Sequence, residues 1–176
     1  MHLYVSVALE RLGRYDQALA RARVALRLTR SAGQPQSLQA EALNQVGWFL
    51  AKLGRYRRAL CYCQQAVALT RHLGHTHAYP SMLDSLAYVY WHLGRKAGTS
   101  DCYRRAVELY DELGYRHRKA ETLTYVGDAY RADGNLAAAR QAWTQALAIL
   151  DDLHDPDAAT IRAKLTPDQP EDPVWA

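Results

Sequence analysis

Apolar residues along this chain recur at intervals of three and four. In ALNQVGWFLAKLG they fall at Leu43, Val46, Phe49 or Leu50, and Leu53; in SMLDSLAYVYWHLG at Leu83, Leu86, Val89 or Tyr90, and Leu93. A period near 3.6 places them on one face of an amphipathic helix. A second helix follows the first, as in RRALCYCQQAVALTRHLG. The glycine between the two can take the left-handed conformation that ends a helix. No segment alternates apolar and polar residues as a strand would, so the pattern predicts an all-α chain.

The helical pairs repeat. RLGRYDQALA, KLGRYRRALC, HLGRKAGTSD and RADGNLAAAR carry glycines at 13, 54, 94 and 134, spaced by 41, 40 and 40 residues. A second series runs through Gly33, Gly74 and Gly114, with His154 in the fourth place, and a third through Ala25, Ala66, Ala106 and Ala146. Three markers in one register establish a repeat of 40–41 residues. A hairpin of two such helices cannot bury both apolar faces alone, and stacking the hairpins supplies the missing partners. Ala59 with Ala66, and Ala139 with Ala146, lie seven apart on second helices, where small residues suit close helix contact.

These residues resemble a known family. The pattern L-x-x-V-G-x-x-Y…A-x-x-x-W…A is present as Leu123, Val126, Gly127, Tyr130, Ala139, Trp143 and Ala146, and it is similar to the tetratricopeptide repeat signature. The second unit gives Leu43, Val46, Gly47, Leu50, Ala59, Cys63 and Ala66, and the third Leu83, Leu86, Ala87, Tyr90, Thr99, Tyr103 and Ala106. The resemblance implies a right-handed α-α superhelix of about four helix-turn-helix repeats, over residues 1–33, 34–74, 75–114 and 115–154. The period exceeds the usual 34, and Arg30, Arg71, Asp111 and Asp151 stand where a proline commonly ends the second helix. Both departures predict second helices that run longer before turning. In the third unit KAGTS puts Gly98 and Thr99 where the others have helix formers, which predicts a frayed or late-starting helix.

After the repeats, DPDAATIRAKL places Asp155 as an N-cap and Pro156 at the first helical position of a short capping helix over 156–165. Residues 1–165 then form one repeat domain, with 166–176, rich in proline and acid, as a flexible tail. The opening MHLYVSVALERLGRY reads as a helix already under way, so the first unit looks cut from a longer protein or unusually short.

Net charge is +4, but it is unevenly laid out. Residues 1–60 hold 10 Lys/Arg against 3 Asp/Glu, residues 61–120 hold 8 against 5, and residues 121–176 hold 4 against 10. Blocks of opposite sign suit docking to a partner or end-to-end packing. The basic face through Arg23, Arg27 and Arg30 reads as a solvated surface, and direct nucleic-acid binding is not expected. Cys61, Cys63 and Cys102 form no CxxC pair, and without a signal peptide they read as free thiols in a cytoplasmic protein. No apolar run could span a membrane.

None of the phosphate-loop, dinucleotide, serine-hydrolase or zinc-protease motifs occurs, and no nucleophile stands beside a base, so neither enzymatic activity nor a cofactor is expected. RHLGHTHAYP gathers His72, His75 and His77. His72 falls in the last turn of a helix, Gly74 caps it, and Thr76 could N-cap the next helix with His77 opening it. The three imidazoles could meet only if the turn folded back, with no nearby carboxylate or cysteine to complete four ligands. The stretch reads as an inter-repeat turn, and no metal site is expected.

The expected binding surface lies on the first helices, which line the concave side of such solenoids. Its outward residues should be Asn44, Trp48 and Lys52, with Glu41 beside them, then Asp84, Tyr88, Trp91 and His92, then Thr124, Asp128 and Arg131. Aromatic rings beside single polar groups along a groove suit a protein or peptide ligand; Trp48 and Trp91 could equally pack between repeats. The carboxylate clamp of chaperone-binding members needs Lys and Asn at matching positions, and only Asn44 fits. The ending AWTQALAILDDLHDPDAATIRAKL, through Trp143, Ala146, Leu150, Pro156, Arg162 and Leu165, resembles the C-terminal repeats of actinobacterial antibiotic-regulatory transcriptional regulators. That resemblance implies a non-catalytic sensor module of a regulator. The alternative is a stand-alone scaffold or signalling-peptide receptor that regulates a partner enzyme. A small-molecule effector and self-association through the short first unit are further partner expectations.

Overall fold

The computed structural model describes residues 9–10, 12–30, 34–74 and 77–166. Among them it holds eight α-helices and no strand: α1 Tyr15–Thr29, α2 Gln36–Lys52, α3 Tyr56–His72, α4 Tyr79–His92, α5 Lys96–Glu112, α6 Arg116–Ala132, α7 Leu136–Asp152 and α8 Ala158–Leu165. None is long and apolar enough to cross a membrane. The chain divides into two compact units, Met1–Leu109 and Tyr110–Ala176, and the division falls inside α5.

In the first unit α2 packs on α1, α3 and α4, and α3 also packs on α4. Its core is built from Leu19, Leu43, Val46, Phe49, Leu50, Met82, Leu86 and Val89, with Ala18, Ala22, Ala59 and Ala66 fully covered at the helix contacts. Gly47 shows how close those contacts are. A β-carbon there would stand 2.5 Å from Cys63 Sγ and 3.1 Å from the backbone nitrogen of Cys63. Burial pushes the Cys63 thiol up to about 12, so it stays a neutral filler. In the second unit α7 packs on α6 and α8 around Leu123, Trp143, Leu150 and Ile161. The Trp143 ring presses against Gly127, where a β-carbon would stand 2.3 Å from its Nε1.

The fourth repeat shows the period in full. Arg116–Ala132 and Leu136–Asp152 are seventeen residues each and are joined by three. The extra length over a shorter repeat is therefore shared by both helices, rather than added to the second alone. α5 is also a correction. It starts at Lys96 and runs seventeen residues, neither late nor frayed. Gly98 lies against the Tyr90 ring, where a side chain would not fit, and buried Thr99 donates its hydroxyl to the Arg95 carbonyl.

The turns inside the described hairpins, and the junction between the third and fourth repeats, close in the same way. Gly13, Gly54, Gly94, Gly114 and Gly134 have φ between 68° and 79°, and the next residue's N–H bonds the carbonyl five positions back, as from Arg55 to Leu50 and from Arg95 to Tyr90. This is the Schellman closure of a helix end, and it needs a left-handed residue that only glycine supplies without strain. His154 occupies the same place after α7 with φ 53°, and the Asp155 N–H still reaches the Leu150 carbonyl at 2.9 Å.

Two helix starts differ from expectation. α4 begins at Tyr79, not His77, because Pro80 is tolerated only in a first turn; Thr76 and His75 lie outside the described residues. α8 begins at Ala158, because Asp155 accepts the Asp157 N–H and the chain closes through tight bonds such as Ala158 N–H to the Asp155 carbonyl. Pro156 thus sits in the turn before the helix. Of the expected tail only Thr166 is described.

Two substitutions test this account by urea denaturation. Gly127→Ala should destabilise the chain by about 1–3 kcal/mol, the range for overpacking against a ring that cannot withdraw. His154→Gly should stabilise it by about 1 kcal/mol by relieving the left-handed penalty of a residue that bears a β-carbon; no gain would mean that its side chain compensates the strain.

Candidate functional site

Repeat stacking sets equivalent residues of neighbouring units side by side, about 10 Å apart for bare helix axes. Trp48 and Tyr88 are equivalent, as are Lys52 and His92, and Tyr15 and Tyr56. The first pair sits near the C-terminal ends of α2 and α4, and the two tyrosines open α1 and α3. In the first unit these side chains converge into one aromatic and cationic cluster.

Lys52 is its centre. The ammonium lies 5.2 Å from the centroid of Trp48 and 5.6 Å from those of Tyr15 and Tyr88, a cation held by three π-faces. Trp48 meets Tyr88 edge-on at 5.2 Å and donates its indole N–H to the Glu10 carboxylate. Tyr88 lies across His92 at 4.5 Å, and His92 stacks nearly parallel on Tyr56 at 4.3 Å. Trp91 closes the edge beside Tyr88 and His92.

The cluster shifts its own titrations. Burial, then the nearby Tyr56 and Tyr15, hold the Tyr88 phenol above its usual value. Partial burial and the Lys52 charge hold the His92 imidazole below its usual value, so its neutral form is favoured. Burial raises the Glu41 carboxyl. Asn44, one turn before Trp48, keeps its Oδ1 buried without a hydrogen-bond partner.

The cluster includes one acid, the Glu10 carboxylate, and Glu41 lies on α2, but the stretch of chain that carries most of it is rich in base. Between residues 42 and 100 stand Lys52, Arg55, Arg57, Arg58, Arg71, Arg95 and Lys96, all but Lys52 exposed, and a single acid, Asp84. Asp84 is buried, only 6% exposed.

The expected groove residues are thus only partly gathered. Trp48, Lys52, Tyr88, Trp91 and His92 meet in the first unit, and Asn44 is half-buried on the same helix as Trp48. Asp84 is corrected: it is buried in α4 rather than open to a ligand. In the second unit Thr124 donates its hydroxyl to the Ala120 carbonyl, and Arg131 is exposed. Asp128 is corrected too. Its carboxylate accepts the Trp143 indole N–H at 3.2 Å and pairs with Lys164 of α8 at 2.5 Å, so it fastens the terminal helix. The readings of the sequence missed Tyr15, Tyr56 and Glu10. The first two were findable: both follow the Gly-Arg turn that marks the repeat, at GRYDQ and GRYRR.

Two family models described as tetratricopeptide repeat match the chain, over residues 39–79 and 79–152. No curated protein matches it. Among solved structures, BtubC (BKLC) from P. vanneervenii superposes with a TM-score of 0.75 at 19% identity, over 91% of this chain and 67% of that one. A putative kinesin light chain of nearly identical TPR-like repeats from Podosopora anserina gives 0.70 at 13%, over 93% of this chain and 82% of that one. A Rap protein complexed with Competence and Sporulation Factor gives 0.60 at 18%, over 93% of this chain and half of that one. At these identities the three likenesses concern the fold. With two models matching contiguous stretches of its helical hairpins, the chain belongs to the tetratricopeptide repeat family.

Proposed function

We propose that this chain is a non-catalytic module that binds an acidic peptide segment of a partner protein on the aromatic face of its first unit. The observation that carries this reading is the three-ring cage around Lys52, set in a stretch of chain, residues 42–100, in which exposed bases outnumber acids. Such a surface attracts an anionic partner over a distance comparable to the Debye length, about 8–10 Å at ordinary salt. The rings then offer apolar area that a flexible side chain of the peptide can cover. A peptide receptor role also accords with the Rap protein, which was solved with Competence and Sporulation Factor bound.

The setting we propose is the sensor part of a cytoplasmic bacterial transcriptional regulator. It rests on the resemblance carried by Trp143, Ala146, Leu150, Pro156, Arg162 and Leu165. The genomic reading frame upstream of Met1 tests it: a helix-turn-helix and a phosphate-loop domain there would support the regulator, and an unrelated gene end would leave the receptor reading alone.

The binding face is tested with a peptide array of graded charge, read by fluorescence anisotropy on the strongest ligand. Acidic peptides bearing an aromatic or aliphatic residue should bind, and neutral and basic ones should not. Lys52→Met should weaken that binding about tenfold or more, as loss of one charge-assisted contact does, and Trp48→Ala by a similar factor. Raising salt from 0.05 to 0.5 M should weaken the wild type more than Lys52→Met (both concentrations are about a decade apart to span the screening range). Binding that ignores peptide charge, or survives both substitutions, would overturn the assignment.

A further inference from the structure

The second unit holds a group of metal-ligating side chains that the peptide reading does not use. His117, in the first turn of α6, faces the turn between α7 and α8, where Asp155 and Asp157 stand. One ligand atom from each of the three lies within 4.8 Å of the others. His117 Nε2 is 3.1 Å from Asp155 Oδ2. Two ligand atoms on one tetrahedral zinc ion stand about 3.3 Å apart, given metal–ligand distances near 2.0–2.2 Å. The imidazole and the first carboxylate therefore already have the required separation, and Asp157, exposed at the surface, is free to close on them.

The surroundings of the group bear on its ligand. The other imidazole nitrogen, Nδ1, lies 3.8 Å from Glu121 Oε1, beyond hydrogen-bond range, and Glu121 Oε2 is held by Arg118 at 2.6 Å. Asp155, half-buried, has its Oδ1 occupied by the Asp157 N–H at 2.9 Å, which turns Oδ2 toward His117. In addition Asp157 and Glu121 line an open cavity of about 260 Å³, with Tyr125, Leu150 and Ile161 among its walls. Asp157 therefore borders open space, from which a water can approach an ion that it holds.

We propose that His117, Asp155 and Asp157 form a binding site for one divalent transition-metal ion, zinc by the chemistry of the donors. One imidazole and two carboxylates suit zinc better than magnesium or calcium, which take six or more oxygens. The ion would tie the start of α6 to the turn that leads into the terminal helix, replacing a direct imidazole–carboxylate contact by a shared centre.

Isothermal titration of the full chain with zinc chloride tests the site, with magnesium in excess as the competing arm. One zinc ion per chain is expected, undisplaced by magnesium, with a rise in Tm on binding. His117→Ala and Asp157→Asn should each remove that equivalent, with helix content by circular dichroism unchanged. Asp157 makes no ion pair in the site, so its variant separates ligand loss from loss of the His117–Asp155 contact. Absence of the equivalent in the wild type, or its survival in both ligand variants because other imidazoles hold the metal, would overturn the proposal; neither result bears on peptide binding by the first unit.

Discussion

Everything in this fold depends on how closely two helices of a hairpin approach. At Gly47 and Gly127 there is no room for even a methyl group, because Cys63 and Trp143 fill the space from the partner helix. Alanines at 59, 66, 139 and 146, all fully covered, continue the contact along each pair. Close approach is what makes dispersion contacts dense enough to hold helices whose individual hydrophobic stripes are narrow. It also fixes the angle at which the next hairpin can lie. The direction in which Trp48 and Tyr88 point is therefore a consequence of residues buried elsewhere on the same helices.

The period and the helical faces were legible because they are written in residues that have no alternative. Glycines at left-handed turns and alanines at helix contacts recur whether or not the surface between them varies. The expected late start of α5 failed for an instructive reason. Gly98 and Thr99 are poor helix formers in isolation, yet Gly98 admits the Tyr90 ring and Thr99 returns its hydroxyl to the backbone. Tertiary contact overrode propensity there, as it does when a helix is buried on one side.

The groove was legible only where it depends on a single repeat register. Trp48, Lys52, Tyr88 and His92 follow from the forty-residue translation and from the helical face. Tyr15 and Tyr56 come from the second helices, and a reading confined to first helices passed over them. Asp84 and Asp128 had the right position and the wrong environment. One is buried, and the other is claimed by Lys164, a residue 36 positions away whose arrival depends on the terminal helix folding back. Partnerships of that range leave no trace in a local pattern.

The turn inside the second hairpin and the junction after it differ in one respect that bears on how such arrays change length. Three residues separate α2 from α3, and their backbone is fully committed: the left-handed Gly54 and the bond from Arg55 to Leu50 leave no slack. Six residues separate α3 from α4. The one added residue in the 41-residue spacing from Gly13 to Gly54 likewise falls after Gly33, between repeats. Each hairpin thus behaves as a rigid cassette whose inner bend cannot be edited. The junction between α5 and α6 closes as tightly, through three residues, left-handed Gly114 and the bond from Tyr115 to Tyr110, so added residues find slack only at the longer junctions and leave the residues that converge on Lys52 at their fixed distances from their own bend.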